Sequence, residues 1–359
     1  MNRTHRRKER TSINGHGTYR RQVVLFLTLL LGFLICTASV VAYFDPLWCT
    51  GLSHEANRIT PVIDARLQKT SLLMRGHDNY DALLMGSSRV EQFRQKDFAP
   101  LRVFNYALPS VYPDEYEDYL DLFLRYNRGT PRLVFLGLDF YGTNLRAFEH
   151  ARTPGYYIST CGSPFYPLRT FISGDALRYA LRMVRNNSDI FSYDRRSLDK
   201  VTKVVSSEES DKLRREQLDY YGKTNYGDYV YNPDYHRILQ HLKARHPDLK
   251  FVVFTTPESV DLFRVLVAKG RLGDYERWLK DIVDVFGTVY NLMPPSSYNA
   301  DHRNFLDAHH LYPDKADHVV KIITGQLRSA VTPCLTRESI NSYLGENHQA
   351  WQDLADRRR

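Results

Sequence analysis

The chain has 359 residues, 43% of them hydrophobic, a composition that suits a packed domain and excludes extended disorder away from the ends. Residues 1–21 carry seven Lys and Arg against Glu9, a net of +6; of the formal charge of +8 this leaves +2 for everything else. A broad basic face for nucleic acid is thereby excluded.

The basic segment 1–21 runs into residues 22–44, where no charged side chain intervenes between Arg21 and Asp45. About 20 apolar helical residues cross the hydrocarbon layer, so 22–44 reads as a transmembrane anchor in the bilayer. The arginines on its N-terminal side predict a cytoplasmic N-terminus, with the bulk of the chain outside, in the periplasmic or extracytoplasmic space. A cleaved signal peptide, with Val40 and Ala42 before the cut, is the competing reading; the apolar run is long for one. Cys36 falls in the span, which leaves Cys49, Cys161 and Cys334 where disulfides form, and at most one pair can close. Their spacing matches no zinc site.

After a membrane-proximal linker at 45–77, five short apolar runs follow: 81–85 (DALLM), 103–107 (VFNYA), 133–138 (LVFLGL), 251–255 (FVVFT) and 288–292 (TVYNL). Continuous rather than alternating apolar residues predict strands buried on both faces. Helical patterns lie at 114–126, 273–286 and 314–327, so strands alternate with helices and a parallel α/β sheet is expected. The gap between the third and fourth runs is too long for one crossover and predicts an insertion at about 144–241. A helix is expected there at 175–185, beside a charged stretch at 206–216 and six tyrosines: Tyr220, Tyr221, Tyr226, Tyr229, Tyr231 and Tyr235. Those rings would pack the insertion on the sheet or stack on sugars. Residues 331–359 read as a solvated tail, closing a domain at 78–330.

Two short motifs carry chemistry. Gly86-Ser87-Ser88-Arg89 stands where the first strand ends, the position at which parallel sheets bind ligands. Asp307-Ala308-His309-His310 precedes the last helix, and a carboxylate three residues before an imidazole can orient it as a general base. The spacing selects His310 and leaves His309 as a neighbour. Arg89 reads as a surface ion-pair partner or as a contact for an anionic polymer.

In this order and placement, the motifs resemble those of the SGNH (GDSL-like) hydrolase superfamily. The resemblance is to its membrane-anchored extracytoplasmic branch, which includes the D-alanyl transfer proteins of teichoic acid synthesis and alginate-type O-acetyltransferases. It covers about residues 78–143 and 248–327. It implies a three-layer flavodoxin-like fold with a five-stranded parallel sheet and a Ser88, His310, Asp307 triad, supported by Gly86, Ser87, Arg89 and Asn105. The implied oxyanion hole comprises Ser88, Ser110 and the position of Asp139, with neither metal nor cofactor. In Gly137-Leu138-Asp139 the family has asparagine where Asp139 stands; an ionised aspartate donates no hydrogen bond, so either Asp139 is protonated, or Asn144 nearby substitutes, or the site is slow. The alternative role for Asp139 is to cap the loop after the strand. The implied function is an extracytoplasmic serine esterase or acyltransferase acting on a cell-envelope glycan or polymer. The alternatives are a catalytically silent partner of a membrane O-acyltransferase or export complex, and a tethered glycan-binding module.

Overall fold

The computed structural model describes residues 4–76, 78–147, 152–185, 190–327 and 333–354, with side chains from Tyr19 onward. The first three and last five residues, part of the basic segment and of the expected tail, lie outside the described residues.

Helix α1 (Thr4–Phe44) holds one apolar stretch, Tyr19–Phe44, long enough to cross a membrane and scarcely buried by the rest of the chain. Beyond it, β1 (Ile59–Pro61) and α2 (Ala65–Arg75) occupy the segment expected to be a linker. Asp64 caps α2 by accepting the amide of Leu67, and Gln68, Lys69, Thr70 and Ser71 are all buried. The main sheet starts with β2 (Ala82–Met85) and β3 (Val103–Asn105). Pro113, which suits a first turn, leads through a single 3₁₀ turn into α3 (Tyr116–Tyr126), followed by β4 (Leu133–Leu138).

The insertion comprises α4 (Pro154–Gly162), α5 (Tyr166–Phe171), α6 (Gly174–Val184), the hairpin β5 (Phe191–Asp194) and β6 (Asp199–Thr202), and α7 (Ser207–Lys223). The chain returns through α8 (Tyr235–Arg245) to β7 (Lys250–Thr255), then α9 (Val260–Ala268), α10 (Leu272–Phe286) and β8 (Thr288–Tyr290). The short α11 (Ser297–Ala300), then α12 (Pro313–Ile323), β9 (Cys334–Thr336) and α13 (Ile340–Gln352) complete it.

The main sheet runs β3-β2-β4-β7-β8-β9, the first five strands parallel. All five expected runs are strands of it, and the apolar pattern is explained by helices on both faces. Tyr119, Leu120 and Phe123 of α3 join α8, α9 and α10 on one side, and Val319, Val320 and Ile323 of α12 cover the other.

Two expectations are corrected. The sheet has six strands, because β9 pairs antiparallel with β8. The expected tail is folded: α13 lays Ile340, Leu344 and Trp351 into the main core, against Phe263 and Tyr275. Polar neighbours dilute that apolar face in the sequence, and a three-residue strand gives no periodicity to read.

The second sheet, β1-β5-β6, joins the membrane-proximal segment to the insertion. Arg195, in the turn between β5 and β6, pairs with Asp45 at 2.7 Å with both side chains fully buried. Asp45 also accepts the amides of Cys49 and Thr50, so the end of α1 is clamped to the insertion. Cys49 and Cys161 share one small apolar cluster as free thiols, while Cys334 is exposed.

Truncating Trp351 to alanine should cost about 3–5 kcal/mol of unfolding free energy, the usual range for a buried tryptophan. Chemical denaturation of the detergent-solubilised protein measures it; a change below about 1 kcal/mol would mean that α13 contributes nothing to the core.

Candidate active site

Strand β2 is buried along its whole length and stops at Gly86. There φ is +150°, and a Cβ would meet Val90 at 2.5 Å and the carbonyl oxygen of Gly137 at 2.9 Å, so only glycine lets the chain turn this close to β4. No long helix follows; the strand opens into the 3₁₀ turn Val90–Gln92. Ser87 accepts the amide of Arg89 at 3.2 Å and leaves Ser88, half-buried, at the crest.

From Ser88 the Oγ lies 2.9 Å from Nε2 of His310, and Nδ1 of His310 lies 2.7 Å from Asp307 Oδ2. The other oxygen, Oδ1, accepts the amides of His309 and His310, both at 2.9 Å. Burial would raise the Asp307 pKa, but the electrostatic pull of the adjacent imidazoles, His310 first, and these hydrogen bonds outweigh it and hold the carboxylate far below its ordinary range. Asp307 therefore stays ionised and fixes the ring with Nε2 toward the serine. The loop is itself pinned: the amide of Ser259 donates to Ala308 O at 2.9 Å, and Ser210 Oγ to Leu306 O at 2.8 Å.

His309 is buried against Tyr221, ring centroids 5.1 Å apart. Burial, then electrostatic coupling to the neighbouring His310 ring, pushes its pKa well below the usual value, so it packs as a neutral ring. Asp307, His309 and His310 each offer a ligand atom within 4.8 Å of the others. A metal taking Nδ1 of His310 would break the bond to Asp307, and one taking Nε2 the bond to Ser88.

Arg89 is not at the surface. Its guanidinium, 3% exposed, pairs with Glu258 at 3.1 Å and with Asp139 at 3.3 Å, and donates to Tyr221 Oη at 3.1 Å. Asp139 accepts a hydrogen bond from Thr256 and serves as a counter-ion of Arg89 rather than as a donor to an oxyanion. Asn144 does not replace it, since its side chain is fully used: Nδ2 donates to Asn225 O and Asp228 O, and Oδ1 accepts the amides of Arg146 and Val230. Two carboxylates thus face one cation. Burial, with Asp139 adding to it, raises the Glu258 pKa to about 7 against the pull of Arg89.

Asn105 supports the same turn from β3, donating to Phe93 O at 3.0 Å and accepting the amide of Ala107 at 3.1 Å. The segment after β3 lies beside Gly86, whose carbonyl accepts the amide of Leu108. Ser110 follows, exposed, with φ +49°, the left-handed conformation glycine favours. It borders a polar cleft of about 500 Å³ that Tyr112, Arg146, Tyr220 and Lys223 also line. Among the described residues the amides of Ser88 and Ser110 have no acceptor. Of the six tyrosines at 220–235, Tyr221, Tyr226, Tyr229 and Tyr235 are buried and Tyr231 half-buried, which is the packing role; of these six Tyr220 alone is exposed.

Several site neighbours gave no signal in the sequence. Phe191 of β5 lies 6.2 Å from the His310 ring. Glu91, three residues past Ser88, is fully buried between Lys69 at 3.2 Å and Lys200 at 2.6 Å, and also accepts from Tyr193. Glu258 could have been flagged, since it follows the fourth predicted strand as Ser88 follows the first. Lys69 and Lys200 could not.

In comparisons with known proteins, the chain matches no family model, no curated protein and no solved structure.

A raised carboxyl pKa lends stability that is whole below the unfolded value near 4.5 and lost as pH rises through about 7. The wild type should lose on the order of 3 kcal/mol relative to Glu258→Gln between pH 5 and 7, read as diverging melting temperatures. In Asp139→Asn the loss should move to lower pH, because Glu258 keeps Arg89 and loses a repelling neighbour.

Proposed function

We propose that this chain is a membrane-anchored serine esterase or acyltransferase with its α/β domain on the extracytoplasmic side. The observation that carries the reading is the Ser88–His310–Asp307 relay, at 2.9 and 2.7 Å, built from segments 222 residues apart. His310 takes the hydroxyl proton as Ser88 Oγ bonds to the carbonyl carbon of an ester or thioester, and the carbonyl oxygen becomes an oxyanion held by the amides of Ser88 and Ser110. Collapse expels the alcohol or thiol, which receives the proton from His310, and leaves an acyl-serine. Water then returns the acid, or the hydroxyl of a glycan or polyol accepts the acyl group.

Kinship with the SGNH superfamily, through its extracytoplasmic acyltransferase branch, is part of this proposal. It is supported by the order of the five parallel strands, 2-1-3-4-5 in chain sequence, which is the flavodoxin-like order, with Ser88 after the first strand and His310 beyond the last. The positive φ at Ser110, where that family has glycine, supports it further. Anchoring rests on the apolar span, and orientation on the arginines ahead of it.

Asp139 favours a second reading. With a carboxylate at the third oxyanion position, the domain would be a catalytically silent partner of a membrane O-acyltransferase. The charge of Asp139 is balanced by Arg89, so the oxyanion does not meet a free anion; what is lost is one donor, typically about 100-fold in rate.

Full-length protein in detergent, exposed to a fluorophosphonate probe and a chromogenic acetyl ester, separates the readings. The wild type should be labelled and Ser88→Ala should not, while Asp307→Asn should lower turnover on the order of 10⁴-fold. Absence of labelling in the wild type would remove the enzyme reading, and labelling retained by Ser88→Ala would remove the triad.

A further inference from the structure

Helices α5 and α6 lie against the far end of α1. Ala176 and Ala180 of α6 pack on Val41, with Val40, Phe44, Phe171 and Leu177 around them. About 20 helical residues cross the hydrocarbon, and counted from Gln22, just past Arg21, the layer ends near Val41. The two helices are therefore held at the level where acyl chains give way to headgroups. At that level the pair exposes large apolar side chains: Phe165 is 62% exposed, Leu168 57%, Ile172 49%, Leu181 43% and Val184 56%. In α6, Leu177, Leu181 and Val184 fall at i, i+4 and i+7, one stripe that begins on α1 and continues past it. The exposed Arg169, Arg178 and Arg185 are interspersed, which is the composition of a helix lying in a membrane interface.

We propose that α5 and α6 form an interfacial foot that inserts its apolar stripe into the outer boundary of the same bilayer that α1 crosses, with its arginines among the lipid phosphates. The occupant is lipid rather than another protein because the stripe is continuous with the span and meets it at the hydrocarbon boundary. The foot fixes the tilt of the domain: α1 alone would leave it free to swing, whereas the Asp45–Arg195 clamp and the foot together give two attachments at the membrane. The site would then face a substrate presented at a set height above the lipid. This rests on the anchoring stated under Proposed function.

The test uses the full chain, one molecule per lipid nanodisc, with Cys36→Ser and Cys334→Ser to remove the exposed thiols. Burial pushes the thiols of Cys49 and Cys161 up to about 11 and about 12, so they resist labelling. A bimane fluorophore is placed singly through Leu30→Cys in the span, Leu168→Cys, Leu181→Cys, or Val204→Cys. Val204 lies just past β6, whose four residues run away from the Arg195 turn for roughly 13 Å. Lipids carry a nitroxide either near the headgroup or near the chain end. The expected result is severalfold stronger quenching at Leu168 and Leu181 than at Val204, stronger for the shallow nitroxide than for the deep one. Quenching at Leu30 with Leu168 and Leu181 no different from Val204 would overturn the foot and leave the anchor standing. No quenching at Leu30 would overturn the anchor, and the foot with it.

Discussion

The turn from Gly86 to Gln92 is held between two buried ionic clusters, and the rest of the molecule is arranged around it. On one side Arg89 reaches Asp139 after β4 and Glu258 after β7. On the other, Glu91 holds Lys69 from α2 and Lys200 from β6. These charges are taken from water and are stable only because each has partners; removing one partner of a buried pair typically costs about 3–5 kcal/mol. The consequence is positional. Ser88, which opens the turn just ahead of both, is fixed relative to the sheet by one and relative to the insertion by the other.

The insertion is thereby part of the site rather than a lid laid on it. Phe191 and Tyr221 flank the two histidines, Ser210 holds the loop that carries them, and Lys200 is a counter-ion of Glu91. Its tyrosines extend the same packing toward the sheet, where Phe140 is surrounded by Tyr226, Tyr229, Tyr275 and Trp278. Through Arg195 and β1 the same insertion grips the end of α1, so a rigid path of packed elements runs from the apolar helix to Ser88.

The charge state of the Arg89 cluster links this framework to the proposed chemistry. With Glu258 raised to about 7 and so about half ionised near neutral pH, the cluster carries between one and two negative charges against one positive. Asp139 is paired with Arg89 and does not stand as a free anion beside the serine. An asparagine at 139 would donate a hydrogen bond but leave Arg89 to draw on Glu258 alone, so the aspartate is intelligible as a consequence of burying an arginine beside the site.

The sequence by itself determined the apolar helix, the five parallel strands, the flanking helices and the pairing of Asp307 with His310, because each leaves a local trace: an uninterrupted apolar run, a strand-sized core segment, a three-residue spacing. The choice of Ser88 rested on the resemblance. The sixth strand, the folded C-terminal helix, the role of Asp139 and the two ionic clusters were decided only by tertiary structure. Lys69, Glu91 and Lys200 lie in segments far apart in the chain, and a lone charge in a sequence looks the same whether it will face water or a partner brought from over a hundred residues away. Burial is a property of the whole fold, and so is everything that burial does to a charge.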